Sequence, residues 1–85
     1  MTPTPKPKYL RNTIRLTPNV YVEVRIKATP LPHRKKWVFR ITSLKSPNTL
    51  PSFITARVGD EYVSRKGLKR HIEQLMREAL PSLQQ

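Results

Sequence analysis

Ser64 to Leu80, SRKGLKRHIEQLMREAL, decides how the rest of the chain is read. Leu68, Ile72, Leu75, Met76, Ala79 and Leu80 recur at the spacing of one helical stripe, so this stretch is predicted to be an amphipathic helix. Ser64 is a good N-cap, and Pro81 follows as the expected stop. The opposite face begins with Arg65, Lys66, Lys69 and Arg70. Cations in the first two turns oppose the helix dipole, at a few tenths of a kcal/mol each. They make sense where an external anion binds, because a helix N-terminus surrounded by cations suits phosphate.

Upstream of that helix the hydropathy period changes from 3.6 to 2. Val20 to Ala28, VYVEVRIKA, alternates without a break, which describes a strand with one packed and one wet face. Lys36 to Ser43, KWVFRITS, gives a second strand, with Trp37, Phe39 and Ile41 directed at the core. Ser52 to Val58, SFITARV, gives a third, with Ile54, Ala56 and Val58 inward and Arg57 outward; so short a run also permits the opposite register, which Phe53 favours. Tyr9 to Leu16 fits either irregular chain or an edge strand. Tyr62 and Val63 either staple the helix start or extend a strand after the Gly59-Asp60 turn. Pro18-Asn19 and Ser46-Pro47-Asn48 read as turns. Met1 to Lys8 alternates proline with threonine and lysine and is expected to be a flexible tail; Lys6, Lys8 and Arg11 make it a basic arm that can order on a nucleic acid.

The expected fold class is therefore α+β: a three-stranded antiparallel sheet packed against one C-terminal helix. Residues 9–85 form a single small domain behind the tail 1–8. A core of this size is near the lower limit for independent stability, which leaves a monomer or a weak homodimer open.

Charge points to the partner. The chain of 85 residues holds 17 Lys+Arg against 5 Asp+Glu, a net +12. Residues 1–59 hold twelve basic residues and one acid, Glu23, a net +11; residues 60–85 hold five basic and four acidic, a net +1. Self-repulsion on that scale does nothing for stability, and a polyanion, most simply nucleic acid, accounts for it. Cysteine is absent, excluding a disulfide framework and a thiolate metal site. No apolar run approaches the ~18 residues that read as a membrane span. This composition suits a cytoplasmic or nucleoid-associated protein that does not bind membranes.

No catalytic constellation is visible. His33 and His71 fall in different elements, and the carboxylates are too scattered for the paired or clustered acids that hydrolysis or a Mg²⁺ site needs. No cofactor or metal is expected, and an enzyme is not. His71 is expected to be a surface or core-edge histidine rather than a ligand. The residues expected to touch nucleic acid are Arg25, Lys27, Arg40 and Arg57 on the wet face of the strands, His33, Arg34, Lys35 and Lys36 at the tip of the hairpin, and Arg65, Lys66, Lys69 and Arg70 at the helix start. A strand ribbon fits the major groove of B-DNA, where arginine reads guanine. Replacing Arg65, Lys66 and Lys69 with alanine is expected to cut affinity for all sequences. Duplex DNA is favoured and RNA stands as the alternative, as does an acidic protein whose nucleic-acid site the basic face would occupy.

Two families share parts of this pattern. Three strands followed by a helix resembles the arm-site-binding domains at the N-terminus of phage and transposon integrases, which implies duplex DNA as ligand and an accessory or regulatory role in a mobile element. Ser64-Arg65-Lys66-Gly67-Leu68-Lys69 is similar to the helix-start signature of the double-stranded-RNA-binding domain, and His33, four residues before Trp37, resembles its loop histidine. That second resemblance spans residues 30–80. It implies that Arg65, Lys66 and Lys69 clamp phosphates across a major groove while the His33 loop enters a minor groove. The chain departs from that family in front, where strand 20–28 stands in place of a helix, and between Trp37 and Ser64, a stretch longer than the family's.

Overall fold

The structure, a computed structural model, describes residues 6–31 and 36–83. Strand β1 (Lys8–Thr17), β2 (Val20–Leu31) and β3 (Lys36–Lys45) form an antiparallel meander. A four-residue helix α1 (Ser52–Thr55), a two-residue strand β4 (Glu61–Tyr62) and the long helix α2 (Arg65–Leu83) follow. The sheet order is β1-β2-β3-β4.

The strict alternation of β2 sets the inner face. Val20, Val22, Val24, Ile26 and Ala28 are all buried, joined by Ile14 of β1 and Ile41 of β3. Helix α2 closes the core with Leu68, Ile72, Met76, Ala79 and Leu83. Leu75 and Leu80, predicted for the stripe, are half-buried at its margin, as is Phe39 on β3. Trp37 is half-buried near the hairpin end, with Lys8 Nζ 5.4 Å from its ring centroid.

The sheet has four strands where three were expected: β1 and β4 fall in stretches the sequence leaves open, and the third predicted strand is not part of the sheet. The ambiguous Tyr9–Leu16 stretch is an edge strand that begins one residue earlier, so Lys8 belongs to the sheet and not to the tail. Residues 1–5 lie outside the described residues. Ser52–Val58, predicted as a strand, is instead a helical turn. The N–H groups of Ile54 and Thr55 both donate to the Pro51 carbonyl, at 3.0 and 3.2 Å. Ile54 is fully buried as predicted, but Ala56 is exposed and Val58 is 45% exposed. The reason is that the free edge of β3 is already taken. Gly59 N–H donates to the Ile41 carbonyl at 2.8 Å, Ile41 N–H donates to Asp60 at 3.1 Å, and β4 pairs with Phe39 and Arg40. Gly59 reaches this position with φ +96°, a conformation glycine adopts without a Cβ penalty. Val63 is 89% exposed and staples nothing.

Loop chemistry fixes the hairpin and the helix end. Thr17 Oγ1 accepts N–H bonds from Asn19 and Val20 at 3.3 and 3.1 Å, closing the β1–β2 turn. Ser46 Oγ donates to the Tyr21 carbonyl at 2.6 Å, and Asn48 Nδ2 donates to the Leu83 carbonyl at 3.1 Å. That last bond explains why α2 does not stop at Pro81. Proline removes one N–H from the final turn, yet the turn is held by the burial of Leu83 and by the Asn48 amide at its end.

At the other end, Ser64 Oγ accepts from Gly67 N–H at 2.9 Å, the N-cap bond expected from the sequence. A Cβ on Gly67 would stand 2.9 Å from that same oxygen. Gly67→Ala therefore trades about 1 kcal/mol of helix propensity against a cap of about the same worth, and is expected to be close to neutral. In a Ser64→Ala background there is no cap to lose, and the same change is expected to stabilise by about 0.5–1 kcal/mol. Urea unfolding of the four proteins measures the coupling.

Tyr62 anchors β4 to α2. Its hydroxyl lies 2.7 Å from His71 Nδ1, placing that histidine at the core edge as expected. Burial pushes the phenol above its ordinary value and Asp60 adds to this, while Arg57 opposes. A raised folded pKa favours the protonated form, so the stability it brings is intact below about pH 10 and is lost as pH rises through the folded value. Tyr62→Phe is expected to cost about 1 kcal/mol at neutral pH through the lost hydrogen bond. It is also expected to fall less steeply than wild type between about pH 9 and 11. Thermal melts across that range check both expectations.

Candidate nucleic-acid interface

Helix α2 occupies one face of the sheet and leaves the other open. The open face is built by the residues that alternate with the core. In β1 these are Tyr9, Arg11, Thr13 and Arg15; in β2 Tyr21, Glu23, Arg25, Lys27 and Thr29. The register sets them side by side: Tyr9 opposite Lys27, Arg11 opposite Arg25, Thr13 opposite Glu23 and Arg15 opposite Tyr21. On the far side Lys27 faces Arg40, Arg25 faces Ser43 and Glu23 faces Lys45. Six cations, Arg11, Arg15, Arg25, Lys27, Arg40 and Lys45, thus share one surface, with Glu23 among them and Glu61 at its rim opposite Arg40.

Three contacts shape this surface. Glu23 Oε1 lies 3.2 Å from Arg11 Nε and 3.9 Å from Arg25 Nε, ion pairs without the alignment of a hydrogen bond. The Arg15 guanidinium sits 4.8 Å from the Tyr21 ring centroid, a cation–π contact that flattens the side chain onto the sheet. The ladder also shifts register between Arg25 and Ile26, making Thr42 the extra residue of a β-bulge whose Oγ1 donates to the Arg25 carbonyl at 3.1 Å. The bulge opens a hollow of about 460 Å³ lined by Tyr9, Leu10, Arg11, Arg25, Ile26, Thr42 and Ser43.

Of the residues the sequence singled out, Arg25, Lys27 and Arg40 come together on this face. Lys36 is exposed at the start of β3. His33, Arg34 and Lys35 lie outside the described residues. Arg57 is not on the sheet: it follows α1 and pairs with Asp60 at 3.0 Å. Arg65, Lys66, Lys69 and Arg70 are exposed at the start of α2, but Arg65 Nη2 donates to Asn12 Oδ1 at 2.7 Å, and Asn12 is on the inner, helix-covered face. The helix-start cluster and the sheet cluster therefore stand on opposite sides of the sheet. Arg15 and Lys45 are not singled out by the sequence reading, and Arg11, expected in a basic N-terminal arm, belongs to the sheet. The signal was present in β1, where Tyr9, Arg11, Thr13 and Arg15 alternate with Leu10, Ile14 and Leu16.

Among the described residues no group of three histidine, cysteine, aspartate or glutamate side chains is placed to hold a metal ion, and no helix is long and apolar enough to cross a membrane. Comparison of the chain with protein-family models, with curated proteins and with solved structures finds no match in any of the three.

Proposed function

We propose that this protein is a small non-enzymatic duplex-DNA-binding module that lays the open face of its sheet on the double helix. The observation that carries this reading is the clustering of six cations on three adjacent strands, on the face that the core does not use. A face evolved only for solubility would mix both signs. Here two acids accompany six bases, and one of the acids is at the rim. Antiparallel ribbons enter the major groove, and side chains standing perpendicular to the strands reach base edges while the flanking cations meet phosphate. The integrase-type resemblance of strands followed by a helix agrees with this use and suggests an accessory or regulatory role.

Fluorescence anisotropy on matched duplex DNA, duplex RNA and single strands, each across a salt series, tests the reading. Five phosphate contacts give a slope of about −4.5 in log K against log salt, so affinity for duplex DNA is expected to fall roughly 500-fold between 50 and 200 mM salt. Equal, shallow and weak binding to all three overturns it. Preference for duplex RNA moves the function to the RNA-binding alternative. Capture of an acidic protein that survives nuclease treatment supports the protein-docking alternative.

A further inference from the structure

Glu23 is the sole acid in residues 1–59, and it sits in the middle of the basic face. If the face supplied only attraction to phosphate, this carboxylate would be a loss, since it cancels one cation and repels the ligand. Its position gives it another use. Arg11 and Arg25 are directly opposed across neighbouring strands, an arrangement of like charges that is unfavourable on a bare sheet. The carboxylate is seated beside the Nε of both, at 3.2 and 3.9 Å. An arginine drawn to a carboxylate on its Nε side keeps its two terminal nitrogens for an outside acceptor, and no intramolecular partner engages those of Arg11 or Arg25 among the described residues. Paired terminal N–H donors match the O6 and N7 acceptors of guanine. Biasing the guanidinium toward one side beforehand also reduces the side-chain freedom that binding would otherwise have to freeze. Both arginines line the hollow beside the Thr42 bulge.

We infer that Glu23 is the specificity-determining residue of this face: it holds Arg11 and Arg25 as a pair of guanine readers, at the expense of generic phosphate attraction. The inference rests on the duplex-DNA reading and deepens it. Glu23 is a positioning residue, acting through the two arginines and not through the DNA.

The experiment begins with selection from a random-sequence duplex library by the wild-type protein. The selected duplex and a scrambled one are then titrated with wild type, Glu23→Gln, Glu23→Ala, Arg11→Lys and Arg25→Lys, each checked for folding by circular dichroism. The wild-type consensus is expected to contain guanine. Glu23→Gln and Glu23→Ala are expected to bind the scrambled duplex about 3–10-fold more tightly, because a repulsive charge is gone, while the selected-to-scrambled ratio falls about tenfold. Each Arg→Lys change is expected to relax selection at a guanine position and leave the salt slope unchanged, since lysine keeps the charge but not the fork. An unchanged ratio in both folded Glu23 variants overturns the inference and leaves the carboxylate a structural neutraliser. So does a wild type that binds duplexes with a steep salt slope yet selects no guanine. A wild type without salt-dependent duplex binding overturns the duplex reading itself, and this inference with it.

Discussion

Replacing Arg25, Lys27 and Arg40 together with alanine is expected to weaken duplex-DNA binding by roughly 10²-fold at physiological salt, and to reduce the salt slope by about 2–3. The estimate follows from counterion release: each phosphate contact contributes about 0.9 of a logarithmic unit per tenfold change in salt, or about fivefold at 0.15 M. The three side chains stand on adjacent strands, with Lys27 directly opposite Arg40 and Arg25 two residues along β2. None is in the core, so the change relieves like-charge repulsion and is expected to leave stability within about 1 kcal/mol of wild type. The companion variant carries Arg65, Lys66 and Lys69→Ala. Sequence alone gives these residues an equal claim to phosphate. The Arg65–Asn12 bond, however, ties the helix start to the inner side of the sheet, beyond reach of a duplex lying on the outer face. At a Debye length of about 8 Å their influence there is largely screened, and a loss below about fivefold is expected. Anisotropy titrations of the two triple variants at several salt concentrations decide the matter. Equal losses in both would place the duplex across the edge of the sheet, and a loss confined to the helix variant would move the interface to the helix start.

How far the chain could be read without its structure depended on whether the deciding partner was near in sequence. Val20 to Ala28 alternates over nine residues, and its buried set was legible to the last side chain. The α2 stripe is legible from Leu68 to Ala79, but Leu75 and Leu80 are marginal and Pro81 hides the buried Leu83. Ser52–Val58 was not legible, because seven residues satisfy a period of 2 and a period of 3.6 about equally, with Ile54 inward in both. What excludes the strand is the prior claim of Gly59, Asp60 and Glu61–Tyr62 on the edge of β3. Strand β1 was obscured by Asn12, a polar residue at an inward position, whose partner Arg65 lies 53 residues away. With β1 in doubt, Arg11 and Arg15 could not be placed, and the seat of Glu23 between two arginines was invisible. The bulge at Thr42 leaves no mark in the sequence, so the predicted strand stops at Ser43, two residues short of Lys45. Arg57 leaves the sheet together with its segment, which is helical.

The second large effect concerns the helix that defines the other side of the molecule. Ile72→Ala is expected to cost about 2–5 kcal/mol, the range for truncating a fully buried isoleucine. Ile72 has no exposed surface and is the second residue in the buried row from Leu68 to Leu83. A domain of this length holds about 5–10 kcal/mol in all, so roughly a fifth or more of its stability depends on one side chain. The dependence is sharpened by the helix's weak intrinsic preference. Its first turn holds two cations and no acid, Gly67 occupies its third position and Pro81 interrupts its last turn. Each feature disfavours an isolated helix, and what keeps α2 formed is its packing on the sheet. Urea unfolding followed by circular dichroism is expected to show one cooperative transition moved to much lower denaturant, whereas Leu75→Ala, at the half-buried margin, moves it far less. Under conditions where Ile72→Ala remains folded, its duplex affinity should equal that of wild type, because the open face of the sheet lies on the other side from the cavity. Stability within 1 kcal/mol of wild type would mean that α2 is not seated on the sheet through this row. Lost affinity in the folded variant would mean that the twist of the basic face is set by the helix behind it.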